Sequence, residues 1–170
     1  MKKILLSFFV FAVLCINSCN ANEFLALKSD FSNKDLRGIK STLNSQVKYA
    51  NRTNLNKFIS TYDANYKNSD GYDLATYTAL VEDLWKNYDK IKYGIKIKDI
   101  EVKDNIAKVS LVETSKANIA ATKNMLGVLE SEADSIYYLK KTNGKWKVIS
   151  DKVIDESKIG RAVQQECRDR

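Results

Sequence analysis

Apolar residues recur at helical spacing in three consecutive segments that begin near Asp35, Asn54 and Asp73. Apolar positions three and four residues apart share one face of an α-helix, so each segment predicts an amphipathic helix. The predicted buried faces are Leu36, Ile39, Leu43, Val47 and Ala50, then Leu55, Phe58, Ile59 and Tyr62, and finally Leu74, Tyr77, Val81, Leu84, Trp85 and Tyr88. Asn51 or Thr53 can cap the second helix, and residues 67–71 form a turn before the third.

At Ile91 the apolar spacing changes to every second residue, which predicts a half-buried β-strand. Ile100 and Val102 fall on the opposite parity, and a one-residue β-bulge near residues 98–99 accounts for this slip. A second strand runs from Ile106 to about residue 115. Its residues Ala107, Val109 and Leu111 face one way.

The remainder of the chain predicts more strands. Residues 116–134 fit either a helix or the far end of a long hairpin, and the hairpin is favoured. Residues 135–141 and 146–151, separated by a Thr-Asn-Gly-Lys turn, predict a β-hairpin. The predicted fold class is therefore α+β: three N-terminal helices packed in a curved antiparallel sheet of four to five strands, a cone-shaped roll.

The first 18 residues predict a signal peptide. Lys2 and Lys3 precede an apolar run of about 13 residues, which is too short for the ~20 residues of a transmembrane helix. Residues 16–19, Ile-Asn-Ser-Cys, resemble a bacterial lipobox, in which Cys19 becomes lipidated and anchors the mature chain to a membrane. The alternative is cleavage after Ala21, which would leave a periplasmic or secreted protein. The remaining boundaries are expected at 19–34 for a tether, 35–155 for one domain and 156–170 for a polar tail.

Composition excludes several kinds of chemistry. The net charge of +7 falls to +5 without the signal peptide, and the lysines are dispersed, which argues against a nucleic-acid interface. Histidine is absent, so the most frequent metal ligand and general base is missing. No metal site and no cofactor are expected. Cys167 would be the single thiol left in the lipidated form, so that form would have no internal disulfide.

The order of elements and several short motifs resemble the nuclear transport factor 2-like superfamily. The residues that carry this resemblance are Tyr49-Ala50-Asn51-Arg52, Leu55, Phe58 and Ile59, Tyr62-Asp63-Ala64-Asn65-Tyr66 with Asp70-Gly71, Trp85, and Asn143-Gly144-Lys145-Trp146-Lys147-Val148. It extends over residues 35–155 and implies a cone, with a bent sheet wrapped around helices and a cavity at one end. The superfamily includes isomerases, dehydratases and many non-catalytic binding domains, so the fold alone predicts no reaction.

Six residues are candidates for contact with a ligand in such a cavity. Helix face and strand parity direct Tyr62, Tyr66, Tyr77 and Tyr93 inward. Glu113 continues the inward parity of Leu111. The resemblance adds Asp63. No catalytic residue is assigned, because the acid-base histidine used by many catalytic members has no counterpart here.

Three functions remain open. The leading hypothesis is a non-catalytic domain of the cell envelope that binds a small apolar ligand, a peptide or a protein in its cone. The second is an isomerase- or dehydratase-like enzyme that uses a carboxylate and a tyrosine. The third is a homodimerising structural lipoprotein, with Ile100, Val102 and Ile149 on an apolar outer sheet face.

Overall fold

The computed structural model describes residues 32–119 and 127–163. Three helices, α1 (Asn33–Ala50), α2 (Leu55–Ile59) and α3 (Leu74–Asn87), precede four strands, β1 (Tyr88–Lys103), β2 (Ile106–Ile119), β3 (Gly127–Thr142) and β4 (Lys145–Val163). The strands form one antiparallel sheet in the order β1-β2-β3-β4. This architecture confirms the predicted α+β fold class. The predicted signal peptide, Cys19 and Cys167 lie outside the described residues.

Side-chain caps start the helices. Ser32 caps α1, and Asp73 caps α3 by accepting a hydrogen bond of 2.8 Å from the Thr76 amide. Asn54 caps α2, so the predicted caps Asn51 and Thr53 are wrong. The side chain of Asn51 instead bonds both backbone groups of Tyr93, at 2.7 and 2.9 Å, and so joins the end of α1 to β1.

The buried face of α1 lies against the concave side of the sheet. Ile39 and Leu43 are buried there. A Cβ atom at Gly38 would lie only 2.7 Å from Cδ1 of Trp146, so this glycine permits close contact between α1 and β4. Asp35 accepts hydrogen bonds from Lys141 (2.6 Å) and from the indole of Trp146 (3.2 Å), which fixes the start of α1 to the β3–β4 hairpin.

The predicted bulge in β1 is present, because the pairing of β1 with β2 shifts register between Ile97 and Asp99. Ile100 and Val102 then pair with residues whose side chains face the core, and Val102 itself is buried. The prediction that Ile100 and Val102 lie on the outer sheet face is therefore wrong. The bulge turns their side chains inward.

The hairpin favoured for residues 116–134 is confirmed in its described part, where Lys116 pairs with Glu130 and Asn118 with Val128. Strand β4 continues past Asp155 to Val163, whereas the sequence predicted a polar tail there. The extension follows from the length of β3, since residues 127–132 supply backbone partners for this part of β4.

Two aromatic residues lie outside the helices in which they were expected. Tyr62 follows α2 and forms a parallel bridge with Val148, and Tyr88 begins β1 rather than ending α3. Both side chains are nevertheless buried, as predicted. In the described part of the chain, no helix has the length and apolarity that a transmembrane span needs.

Candidate functional site

Three tyrosine rings pack together between the helices and the sheet. Tyr62 and Tyr66 lie in the segment between α2 and α3, and Tyr77 lies on α3. The ring centroids are 4.9 to 5.3 Å apart, in edge-on and tilted arrangements. The hydroxyls of Tyr62 and Tyr77 are 3.1 Å apart and form a hydrogen bond. Tyr62 and Tyr66 are buried and Tyr77 is half-buried, and contact of these rings with a ligand stays a prediction.

Glu113 lies on the concave face of β2 and accepts hydrogen bonds from three hydroxyl groups. Tyr93 on β1 and Tyr137 on β3 both donate to Oε1, the second at 2.7 Å. Ser135 on β3 donates to Oε2 at 2.6 Å. Because the donors come from the strands on both sides of β2, the carboxylate joins three strands of the sheet.

Asp151 on β4 is a second interior carboxylate. It accepts one hydroxyl hydrogen bond, from Tyr66 at 2.6 Å. Burial raises the pKa of Asp151 to about 6, and the negative charges of Glu113 and Asp70 act in the same direction, while the hydrogen bond from Tyr66 opposes them. Asp151 thus changes its charge in the range between pH 5 and 7.

The tyrosine–carboxylate cluster consists of Glu113, Asp151 and five tyrosines, Tyr62, Tyr66, Tyr77, Tyr93 and Tyr137. Burial is the main cause that raises the pKa of each of these tyrosines above its ordinary value of 10. Nearby carboxylates add to the effect in every case. The five hydroxyls therefore stay protonated at physiological pH and act as neutral donors.

Five of the six predicted residues belong to this cluster, and Asp63 does not. Its carboxylate accepts a hydrogen bond of 3.0 Å from the backbone amide of Asn65, which forms an Asx turn in the connection between α2 and α3. Asp63 has a local structural role in the backbone and makes no contact with Glu113 or Asp151 among the hydrogen bonds of the described residues.

Sequence reasoning missed three members of the site, Ser135, Tyr137 and Asp151. Strand parity could have found the first two, because Ser135 and Tyr137 lie at every second position between Ala133 and Leu139 and share their buried face. Parity predicts the wrong face for Asp151. Counting in steps of two from buried Val148 turns Ser150 inward, but a register shift between Tyr138 and Leu139 inserts a residue in β4 and places Asp151 opposite Tyr137.

A crevice that shares Tyr93 with the cluster opens between the ends of α1 and α3 and strands β1, β2 and β3. Its lining is mostly apolar: Ala50, Leu84, Trp85, Tyr88, Ile91, Tyr93, Ser115, Ala117 and Leu129. Its volume is about 50 Å³. The sequence placed Trp85 in the core, whereas the structure leaves this ring half-buried against Phe58 and on the wall of the crevice.

The amide of Gln46 is a further buried polar group. It lies on the core face of α1, one helical turn before Ala50, and has no hydrogen-bond partner among the described residues. Over the same part of the chain, no three Asp, Glu or Cys side chains converge as metal ligands would.

The geometry of the cluster limits its chemistry. The carboxylate of Glu113 already accepts hydrogen bonds from three hydroxyl groups. A substrate could reach this carboxylate only by displacing one of these charge-assisted hydrogen bonds. The arrangement is that of a polar core, while the crevice beside it has unfilled apolar space.

Comparison with known proteins bears on the fold. No family model and no curated protein sequence matches the chain. Solved structures do match. Bd1075 of Bdellovibrio bacteriovorus superposes with a TM-score of 0.57 at 15% identity, over 72% of this chain and 42% of that longer chain.

Two other solved structures are matched almost over their whole length. An NTF-2-like protein of unknown function from Shewanella oneidensis MR-1 has a TM-score of 0.55 at 17% identity, covering 71% of this chain and 99% of that one. A ketosteroid isomerase-like protein from Erwinia carotovora atroseptica has a TM-score of 0.57 at 15% identity, covering 73% and 99%. Identities this low establish the fold and no activity. This chain therefore has the nuclear transport factor 2-like fold.

Proposed function

We propose that this protein is an exported, non-catalytic binding domain of the cell envelope, anchored by a lipid on Cys19. It receives a small apolar group of a larger partner in the crevice between the ends of α1 and α3 and the sheet. The observation that carries the proposal is the crevice itself, whose lining is mostly apolar and includes two residues with hydroxyl groups, Tyr93 and Ser115.

The size of the crevice selects the kind of ligand. Pockets that enclose a whole small molecule measure roughly 300 to 1,000 Å³, and a single water needs ~10–15 Å³. At about 50 Å³, the crevice holds a group of a few atoms, such as the side chain of a peptide or the end of an acyl chain. A partner of this kind keeps most of its surface outside the cone.

The tyrosine–carboxylate cluster supports a binding role rather than catalysis. Tyr62, Tyr66 and Tyr137 are at most 2% exposed, so their side chains fill the interior between the helices and the sheet. Glu113 is enclosed by its donors Tyr93 and Tyr137. Tyr93 belongs to this packed cluster and also lines the crevice, so its hydrogen bond to Glu113 holds one wall of the crevice in place.

The N-terminal sequence supports the location. Two lysines, a short apolar run and Cys19 have the order of a lipoprotein signal. Two acyl chains on one cysteine suffice for stable anchoring. Intact mass of the protein purified from its native membrane tests this point. We expect a diacylglycerol-sized increment that is lost in Cys19→Ala, and cleavage after Ala21 without lipid would contradict it.

Methyl NMR with isobutanol as the probe tests the crevice directly. We expect the methyl resonances of Leu84, Ile91 and Leu129 to shift on titration at millimolar concentrations, because these residues line the space. Methyls of Leu43 and Leu139, which are buried elsewhere in the core, should stay unchanged. Shifts of equal size at all these methyl groups would show nonspecific solvation and would contradict a crevice site.

A matched pair of variants completes the test. Ala117→Phe places a ring in the crevice and should abolish the shifts, whereas Thr114→Phe adds a ring on the exposed side of the same strand and should leave them. Leu129→Ala enlarges the crevice and should admit the larger probe toluene. Binding of isobutanol that survives in Ala117→Phe would place the site elsewhere.

One observation favours a second candidate, an enzyme of the isomerase type. Glu113 lies within hydrogen-bonding distance of Tyr137, the pairing of carboxylate and tyrosine that such chemistry needs. An assay with a β,γ-unsaturated ketosteroid distinguishes the enzyme from the binding domain. Isomerisation would conjugate the double bond with the ketone, and ultraviolet absorbance measures this change. We expect no conversion. Conversion by the wild type that is lost in Glu113→Gln would establish the enzyme instead.

A further inference from the structure

The outer face of α1 carries all the exposed positive charge of that helix. Successive residues of an α-helix are rotated by about 100°, so residues 37, 40, 41, 44, 45 and 48 lie within one arc. The opposite arc holds the buried residues Ile39, Leu43, Gln46 and Ala50. The outer arc consists of Arg37, Lys40, Ser41, Asn44, Ser45 and Lys48, with Lys34 at its edge; we call it the basic face of α1.

No acidic residue offsets these charges on the helix. Asp35 is the single acid of α1, and it is turned toward the sheet, where Lys141 and Trp146 bind its carboxylate. Within residues 32–119 and 127–163, no ion pair involves Arg37, Lys40 or Lys48. The basic face is therefore a patch of uncompensated positive charge.

Several lysines of the sheet, unlike the cations on the basic face of α1, form ion pairs. On β1 and β2, Lys98, Lys108 and Lys116 each pair with a carboxylate on another strand, at Asp134, Glu101 and Glu130. Neutralised lysines of this kind mainly keep a surface solvated. Other exposed lysines of the sheet, such as Lys96 and Lys140, are in no ion pair of the described residues, but α1 differs in gathering its cations on one face of a helix with no acid beside them.

The basic face also has a shape that suits anionic headgroups. The short side chains Ser41, Asn44 and Ser45 leave a shallow depression of about 370 Å³ between the longer cations Arg37, Lys40 and Lys48. Phosphate oxygens accept hydrogen bonds from guanidinium, ammonium, hydroxyl and amide groups alike. Several phosphates can therefore lie along the helix with both charge and hydrogen bonds satisfied.

The position of α1 in the chain, close to the proposed lipid anchor, indicates a membrane as the partner. The helix follows directly on the N-terminal segment, and from Cys19 to Ser32 the chain spans at most about 45 Å even when fully extended. We propose that the basic face of α1 docks on the anionic lipid headgroups of the membrane that carries the anchor. The inference rests on the proposed envelope location.

Docking in this manner orients the crevice. Ala50 is the last residue of α1 and lines the crevice. With the outer face of α1 on the headgroups, the crevice lies at the end of the helix that contacts the membrane. A basic residue near an anionic surface contributes about fivefold in partitioning, so the four cations orient an anchored domain without anchoring it themselves.

Vesicle sedimentation tests the proposal with the non-lipidated mature chain from Asn20, which keeps every residue that the structure describes. The probe is a vesicle of phosphatidylcholine with 30% phosphatidylglycerol, compared with pure phosphatidylcholine. We expect at least tenfold tighter binding to the anionic vesicles, and loss of this preference at high salt, where charges are screened over a few Å. Equal binding to both vesicles would overturn the proposal.

Two triple variants separate the basic face from net charge. Arg37→Glu, Lys40→Glu and Lys48→Glu together should reduce binding at least tenfold. The control reverses three exposed lysines of the sheet, Lys96, Lys140 and Lys152, with the same change in net charge, and should reduce it less than threefold. An equal loss of vesicle binding in both variants overturns the proposal. Binding of the wild type to duplex DNA as tight as its binding to anionic vesicles also overturns it. Circular dichroism confirms that both variants are folded.

The outcomes also distinguish this inference from the proposed function. If Cys19 is lipidated and isobutanol enters the crevice, but anionic vesicles are not preferred, only the docking of α1 is wrong. If vesicles are bound through α1 while the native protein lacks a lipid on Cys19, the anchored location is wrong and the surface property stands.

Discussion

Glu113 and Asp151 are two carboxylates inside one cone, and their surroundings differ. Glu113 accepts hydrogen bonds from three hydroxyls, on β1 and β3. Asp151 accepts one, from Tyr66, and burial raises the pKa of Asp151 to about 6. Three donors let Glu113 join the strands of the sheet, whereas at Asp151 a single donor opposes the effect of burial on the pKa.

The largest expected effect comes from Glu113. Glu113→Gln removes the charge that strengthens three hydrogen bonds and puts an amide donor among hydroxyl donors, so we expect a loss of about 2–3 kcal/mol in the free energy of unfolding. Urea denaturation at pH 7 measures it. Glu82→Gln, on the exposed side of α3, is the control and should change stability by less than about 0.5 kcal/mol. Equal stability of Glu113→Gln and wild type would show that the three donors find other partners.

Asp151→Asn should increase the free energy of unfolding at neutral pH, whereas Glu113→Gln should decrease it. The pKa of Asp151 in the folded state, about 6, lies above its ordinary value of 3.8, so the folded protein holds the proton more tightly than the unfolded chain. The stability that this group contributes is thus present below about pH 4 and is lost as the pH rises to about 6. We expect the variant to be more stable than wild type by about 1–2 kcal/mol at pH 7.5.

The pH dependence provides the check on Asp151→Asn. The gain should nearly vanish at pH 3.5, where the wild-type carboxyl is protonated in the folded state and mostly protonated in the unfolded chain. Urea curves at pH 3.5, 5 and 7.5 give the difference directly. Asp83→Asn, which removes a carboxylate at an exposed position of α3, is the control and should change stability by less than about 0.5 kcal/mol. A gain of the same size at every pH would refute the assignment of the shift to burial.

Tyr66→Phe sharpens the comparison by removing the one hydroxyl donor of Asp151. This hydrogen bond lowers the pKa of Asp151 and is the main influence that opposes burial. We therefore expect the pKa of Asp151 to rise above its wild-type value. A titration of its carboxyl ¹³C resonance measures the change, and Tyr49→Phe, a tyrosine on α1 outside the cluster, is the control. An unchanged midpoint would show that Tyr66 bonds another acceptor in solution.

The smallest effect is electrostatic coupling between the two acids. The negative charge of Glu113 contributes to the raised pKa of Asp151, after burial. Glu113→Gln should therefore lower that pKa, by less than Tyr66→Phe raises it. The same ¹³C titration reports it. A shift upward in Glu113→Gln would mean that rearranged tyrosines, rather than charge, dominate the surroundings of Asp151.

Strand parity was sufficient for one carboxylate and insufficient for the other. Glu113 continues the alternation of Ala107, Val109 and Leu111 without interruption, so its inward direction could be predicted. The alternation that starts from Val148 is broken before Asp151 by the register shift between Tyr138 and Leu139. A shift of this kind depends on how two strands pair, and one strand's sequence does not specify it.

The pattern of apolar residues by itself determined the three helices, the bulge in β1, the hairpins and the inward tyrosines, because helix and strand periods are local properties of the chain. Tertiary structure alone decided the rest. Pairing with residues 127–132 carried β4 past Asp155, and three strands brought Tyr93, Tyr137 and Ser135 to one carboxylate. Those contacts join residues that are distant in sequence, and their positions follow from register and packing.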